Sequence, residues 1–236
     1  MADPHHDPYR SGTYAEANPD WHDGDAAHKA RAVADLVRFA GLQPRTVVDV
    51  GCGAGGVLRH LRTELRAEWP RTEWEGFDLA PEAVRRARKT EGEGLSFVEG
   101  DFLQSERRAD LILCLDVVEH VADDAAFLAA LRERAPAFVF RLPLDLSALD
   151  LVRPARLLRI RERYHHRHFW TRDLAAALLR DAGFVVQHER YDRVPPVGGR
   201  RSRAADVVRR GLVRVVPHPA VTLLGGFSWL VLATPR

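Results

Sequence analysis

The sequence predicts an α/β chain built on a doubly wound, mostly parallel sheet, and three observations predict it. Short apolar runs recur along the chain with helically spaced segments between them. A glycine-rich turn, Gly51-Cys52-Gly53-Ala54-Gly55-Gly56, follows directly on the first run, Thr46-Val47-Val48-Asp49-Val50. Acidic residues then stand at the ends of the later runs. With 236 residues, 46% of them hydrophobic, the chain can bury one substantial core, so residues 1–236 are expected to form a single domain.

Each element has its own signal. Ala26 to Ala40 carries Val33, Leu36 and Val37 at helical spacing and Gly41 ends it; with the polar leader before it, 1–40 is expected to form a helical lid. Strands are predicted near Thr46–Val50, Glu73–Phe77, Leu95–Val98, Asp110–Leu115 and Ala137–Leu142, then from Phe184 and over Phe227–Ala233. Helices are expected near Gly55–Glu68, Pro81–Thr90, Asp123–Arg134 and Thr171–Ala182. Pro81 suits a first helical turn and Thr171 an N-cap. Residues 192–225 read as an inserted arm before the last strand, with Pro195–Gly199 as a loop leading to a helix over Arg203–Val215.

Composition narrows the function classes. The formal charge of +2 does not by itself imply nucleic acid, and lysine occurs only at Lys29 and Lys89. No RNA-binding module and no aromatic-interleaved basic strip is visible, so no nucleic-acid partner is expected. Cys52 and Cys114 lie beside or inside core strands and read as buried, reduced thiols. No basic, apolar leader and no apolar stretch of bilayer length is present, from which a cytoplasmic protein and no membrane partner are expected.

The glycine turn carries the chemistry. Glycine serves where the backbone takes positive φ or approaches a ligand closely, and the following helix offers unpaired N–H groups. A dinucleotide fingerprint reads G-x-G-x-x-G and seats a pyrophosphate on that helix; here Asp49 ends the strand. A carboxylate repels a diphosphate and attracts an ammonium group. Asp78, about 25 residues beyond the turn at the end of the second strand, suits ribose hydroxyls. An Asp in that place also caps helices, so Asp78 before Leu79-Ala80-Pro81 has both readings.

The spacing of Asp49, Gly51, Gly53 and Gly55 resembles motif I of the class I S-adenosylmethionine-dependent methyltransferases, over a span of about Thr46 to Val186. The resemblance implies a Rossmann-like seven-stranded sheet with an antiparallel last strand and S-adenosyl-L-methionine as cofactor. It implies cofactor-binding roles for Asp49, Gly51, Cys52, Gly53, Gly55, Asp78 and Leu79. Asp101 would accept from the adenine amino group, Phe102 would line the adenine pocket, and Leu115-Asp116 would close the site at motif IV. Asn18-Pro19-Asp20-Trp21-His22, Leu142–Ser147 and His166-Arg167-His168-Phe169 resemble segments of a bacterial subset, and Trp21 is a candidate to cover the sulfonium. Where that subset has glycine before the first histidine, this chain has His165.

Methyl transfer is an in-line displacement in which the cofactor supplies the electrophile and the protein supplies position. A hydroxyl acceptor needs a base, and His120, His166 and His168 are the candidates, each with an alternative structural role. The adjacent histidines lack a matched acid or thiol in sequence, so no metal is expected. Arginines gather at 153–167 and 200–214, either as a solvated basic face or as contacts to an anionic small-molecule substrate. The apolar positions between Val207 and Val216 would pack on the sheet or at a homodimer contact. Oxygen methylation of a biosynthetic small molecule, such as a secondary metabolite or sugar, is the leading expectation. Nitrogen or carbon methylation, an RNA or protein substrate, and a non-catalytic cofactor-binding protein are the alternatives.

Overall fold

A computed structural model describes residues 23–152, 154–193, 207 and 211–236. Helix α1 (Asp23–Phe39) leads into strand β1 (Thr46–Val50), α2 (Gly56–Glu64), β2 (Glu73–Asp78), α3 (Pro81–Ala87), β3 (Leu95–Glu99) and β4 (Leu111–Leu115). There follow α4 (Asp124–Arg132), β5 (Ala137–Leu144), α5 (Ala148–Val152), α6 (Ala155–Tyr164), α7 (Arg172–Asp181), β6 (Phe184–Asp192), α8 (Pro217–Leu224) and β7 (Phe227–Pro235). The seven strands form one sheet in the order β3-β2-β1-β4-β5-β7-β6. β1 to β5 pair in parallel, and β7 inserts antiparallel between β5 and β6.

Burial on both faces explains why the central strands are apolar throughout rather than alternating. In β4, Ile112 and Cys114 join one core layer with Phe138, Phe140 and Trp229, while Leu111, Leu113 and Leu115 join the other with Leu58, Leu61 and Trp74. Helix α1 belongs to that second layer: Ala30, Val33, Ala34 and Val37 are fully buried. Its described part is therefore a sheet-covering helix, and Trp21 with the rest of the expected lid lies outside the described residues.

The local signals act where the sequence places them. Pro81 opens α3, and the Thr171 hydroxyl accepts from Leu174 N at the start of α7. The helix expected to reach Glu68 stops at Glu64, and the Trp69 indole then donates to Leu42 O at 2.9 Å, turning the chain back before Pro70. Helices α5, α6 and α8 were not expected. Of the predicted arm helix, residues 203–206 and 208–210 lie outside the described residues, as does the Pro195–Gly199 loop; residues 211–215 are helical. Both cysteines are free and buried. Among the described residues no helix is long and apolar enough to cross a membrane.

Candidate active site

The candidate groups that follow β1 to β4 stand at the carboxyl ends of those strands, the edge at which open α/β sheets bind ligands. The glycine turn is fixed to the neighbouring strand by its own backbone: Gly51 N and Cys52 N both donate to Phe77 O, at 2.8 and 3.0 Å. Gly51, Gly53 and Gly55 all have positive φ. At Gly55 a Cβ would stand 2.5 Å from the Phe97 ring, and at Gly51 2.4 Å from Val117 Cγ2, so the turn is closed to side chains from two directions.

Asp78 caps the backbone on both sides of the strand end. One carboxylate oxygen accepts from Gly53 N at 2.8 Å and the other from Ala80 N at 2.9 Å. Since each oxygen can accept twice, the group that ties the glycine turn to β2 retains capacity toward ribose hydroxyls. Asp49 is buried, and its carboxyl is pushed up to about 8 by burial and then by the Asp78 charge, against the pull of Lys29. Asp101 caps the short turn that follows β3, accepting from Leu103 N at 2.9 Å. Phe102 is 1% exposed and meets Phe77 edge-on at 5.2 Å.

On the β4–β5 side, Asp116 departs from a simple cofactor contact. It holds φ 57°, a conformation that non-glycine residues seldom adopt, and its carboxylate is shared by Arg141 Nη1 at 2.5 Å and Lys29 Nζ at 2.7 Å. Arg141 Nε in turn bonds Asp192 Oδ2 at 2.8 Å, and His28 Nε2 reaches Asp192 Oδ1 at 2.7 Å. Burial opposes the charges in this chain, but the pairing outweighs it: Asp116 is held well below the usual carboxylate range and Arg141 above its own. The network binds α1, the end of β4, β5 and the end of β6 into one wall.

Beyond Asp116 the chain makes a single short turn, Val118–His120, and there the histidines separate. His120 and His166 meet edge-on at 4.9 Å. His166 Nδ1 donates to Asp145 Oδ2 at 3.0 Å, which leaves Nε2 as its accepting nitrogen. Burial, then His166, lowers His120 to about 3, so it stands as a neutral imidazole. Glu119 is wholly buried beside them; burial and the Asp116 charge push its carboxyl well up, and neither of its carboxyl oxygens has a hydrogen-bond partner among the described residues. His168 does not join the cluster. Its Nε2 donates to Val121 O at 2.8 Å, Nδ1 lies 3.6 Å from Asp124, and the ring stacks on Trp170, so it fixes the loop before α7.

Sequence reasoning missed Glu119, Asp145, Lys29 and Arg141 as site residues. Glu119 and Asp145 sit in segments already marked by resemblance, and burial of a carboxylate is what distinguishes them. A neighbouring cavity of about 470 Å³ between α5, α6 and α8 is lined by Arg156, Arg159 and Arg193 with Asp150, which pairs with Arg156 at 2.8 Å, among apolar Leu149 and Leu224. Arg156 connects it to the histidines, since Nη2 lies 3.4 Å from the same Asp145 that holds His166.

This arrangement, a seven-stranded sheet with an antiparallel β7, a glycine turn after β1 and acids at the ends of β1 to β3, defines a class I methyltransferase. The methyltransferase-domain family matches residues 26–189, and the chain belongs to it as an S-adenosylmethionine-dependent methyltransferase. It is 31% identical to a ubiquinone biosynthesis O-methyltransferase of Xanthomonas axonopodis pv. citri over 71% of this chain and 76% of that protein. It is also 31% identical to norajmaline N-methyltransferase of Rauvolfia serpentina, over 44% of this chain and only 39% of that relative's length. In fold it is similar to magnesium protoporphyrin IX methyltransferase of Synechocystis PCC 6803 with bound SAH (TM-score 0.59, 16% identity, 89% of this chain and 83% of that one).

Proposed function

We propose that the chain methylates an oxygen of a small biosynthetic molecule, using S-adenosyl-L-methionine. The observation that carries this reading is the cluster of buried Glu119 with half-buried His120 and His166 beside the cofactor edge, with His166 oriented by Asp145. A hydroxyl is a poor nucleophile until its proton is drawn away, and groups that accept hydrogen bonds at a dry site serve that need; an amine needs no such assembly. His166 and His120 are the residues assigned to the acceptor, and His168 is assigned to the loop. The similarity to an O-methyltransferase over most of both chains supports the same acceptor atom.

On the cofactor side, Asp49 is assigned to the ammonium group, Asp78 to the ribose hydroxyls and Asp101 to the adenine amino group, with Leu79 and Leu115 as apolar walls. Cys52 and the glycines supply the close backbone approach. Of the arginines in the cavity next to Asp145, Arg156 is already paired with Asp150 and Asp145, so a preference for an acceptor that carries a carboxylate or phosphate is assigned to Arg159.

The test is product formation, read as S-adenosylhomocysteine release and acceptor mass, over matched panels of hydroxylated and amino compounds with and without an anionic group. Turnover confined to hydroxyl acceptors, and better with the anionic members, is expected. Turnover on amines alone would overturn the oxygen assignment. Equal rates for neutral and anionic members would remove the role given to Arg159.

A further inference from the structure

We propose that Glu119, His120 and His166 form a binding site for a borderline divalent cation of the zinc and cobalt type, placed to hold the acceptor oxygen. The inference rests on the acceptor site proposed above and changes how that site activates oxygen: the imidazole nitrogens ligate the cation in place of accepting directly from the hydroxyl. The His165–His168 run does not announce such a site, because the acid that joins it, Glu119, lies 47 residues before His166 in the chain.

The geometry has four parts. Ligand-capable atoms of the three side chains all lie within 4.8 Å of one another, and Glu119 Oε1 stands 3.9 Å from His120 Nε2. Ligands bound at about 2.0–2.1 Å around a tetrahedral ion stand roughly 3.3 Å apart, so small side-chain movements close the set on one ion. Second, both Glu119 carboxyl oxygens are fully buried without a hydrogen-bond partner among the described residues. A buried carboxyl in that condition costs about 1–3 kcal/mol or more, and a cation is the partner that removes the cost. Third, the Asp145 carboxylate accepts from His166 Nδ1 at 3.0 Å and so turns Nε2 toward the cluster, the carboxylate–histidine–metal relation that fixes a ligand's tautomer and raises its basicity. Fourth, the Glu119 carbonyl accepts from Arg167 N at 2.7 Å and His168 N at 3.2 Å. Those bonds bring the two ligand-bearing segments together through the backbone, independently of the side chains.

Two imidazoles and one carboxylate select zinc-like ions over magnesium or calcium, which prefer oxygen sets. Three protein ligands leave a fourth position for the acceptor oxygen. There the cation lowers the hydroxyl's pKa and its proton leaves to solvent; the oxygen lone pair forms the new bond to the methyl carbon. The carbon–sulfur bond breaks with its electrons returning to sulfur, giving the thioether.

The test uses the full chain, stripped with a chelator and titrated calorimetrically with Zn²⁺, with the visible absorption of the Co²⁺-loaded protein as an independent readout. One equivalent with the intense bands of low-coordinate cobalt is expected in the wild type. Glu119→Gln and His166→Gln are expected to weaken binding by at least about 100-fold, and Asp145→Asn by about 10–100-fold, the usual cost of losing an outer partner. His168→Gln is expected to leave binding unchanged. Binding of S-adenosylhomocysteine confirms that each variant is folded. No stoichiometric uptake by the wild type, or Glu119→Gln binding as tightly as wild type, would overturn the site. Methylation of a hydroxyl acceptor that persists in chelator would overturn the cation while leaving the oxygen-methylation reading intact. Absence of hydroxyl methylation together with tight, Glu119-dependent cation binding would retain the site and overturn that reading instead.

Discussion

On the β1–β3 side of the sheet edge the candidate groups are held by backbone N–H groups, whereas on the β4–β5 side long-range charge pairs between side chains are added to the backbone bonds at Asp116 N and Glu119 O. The glycine turn hangs from Phe77 O through two amides, and Asp78 grips the turn and the start of α3 through backbone N–H groups. The Asp116 carboxylate instead owes its position to Arg141 and Lys29, and Arg141 to Asp192, 51 residues away. A backbone-built site is local and presents one shape to one cofactor. A site built from long-range charge pairs changes when any member changes, which suits the half that has to recognise a particular acceptor.

Breaking the charge network should have the largest destabilising effect. Arg141→Met leaves Asp116 and Asp192 buried without their shared cation, and a loss of roughly 3–5 kcal/mol is expected, visible as a lower Tm. A stability close to wild type would mean that the network is dispensable and that the two halves do not differ as described. On the opposite side, Gly55→Ala combines positive φ with the approach to Phe97, and about 2–4 kcal/mol should be lost. Urea unfolding gives the value; a neutral result would show that the turn relaxes freely.

Asp49 sharpens the comparison, because there the backbone-built half stores an electrostatic cost. Its folded pKa of about 8 lies above the unfolded value near 3.9, so between those limits the folded chain binds the extra proton. Stability from this group therefore falls as pH rises through that window and levels off above it. Asp49→Asn should come closest to wild type below about pH 4 and exceed it by an amount that grows with pH, to roughly 5 kcal/mol at pH 8, while losing cofactor affinity. For the same reason, cofactor binding by the wild type at pH 7 should release a proton, measurable from the dependence of binding heat on buffer ionisation enthalpy. Proton uptake would contradict the pairing of Asp49 with the ammonium group. The smallest change is expected from His168→Gln, about 1 kcal/mol for its bond to Val121 O, with catalysis retained.

The same contrast governs what the sequence reveals. β1, α3 and α7 are legible because their signals lie within a few residues: an apolar run with glycines behind it, Pro81 inside the first turn, Thr171 at the cap. Asp49, Asp78 and Asp101 are legible by position at strand ends. The packing of Phe102 on Phe77 is not legible, because a strand-end aromatic can point into the core as readily as toward a ligand. The bond that holds His168 is not legible because its carbonyl, Val121 O, is 47 residues away. Helices α5 and α6 escape because α6 is arginine-rich with no buried residue and so shows no apolar stripe.

The most direct test of the account is calorimetric binding of S-adenosyl-L-methionine to the wild type and to Asp78→Ala. Stoichiometric binding by the wild type, weakened about 100-fold or roughly 2.7 kcal/mol in the variant, is the expected result. A folded wild type that does not bind, or a variant that binds as tightly, would contradict the assignment of the β1–β3 edge to the cofactor.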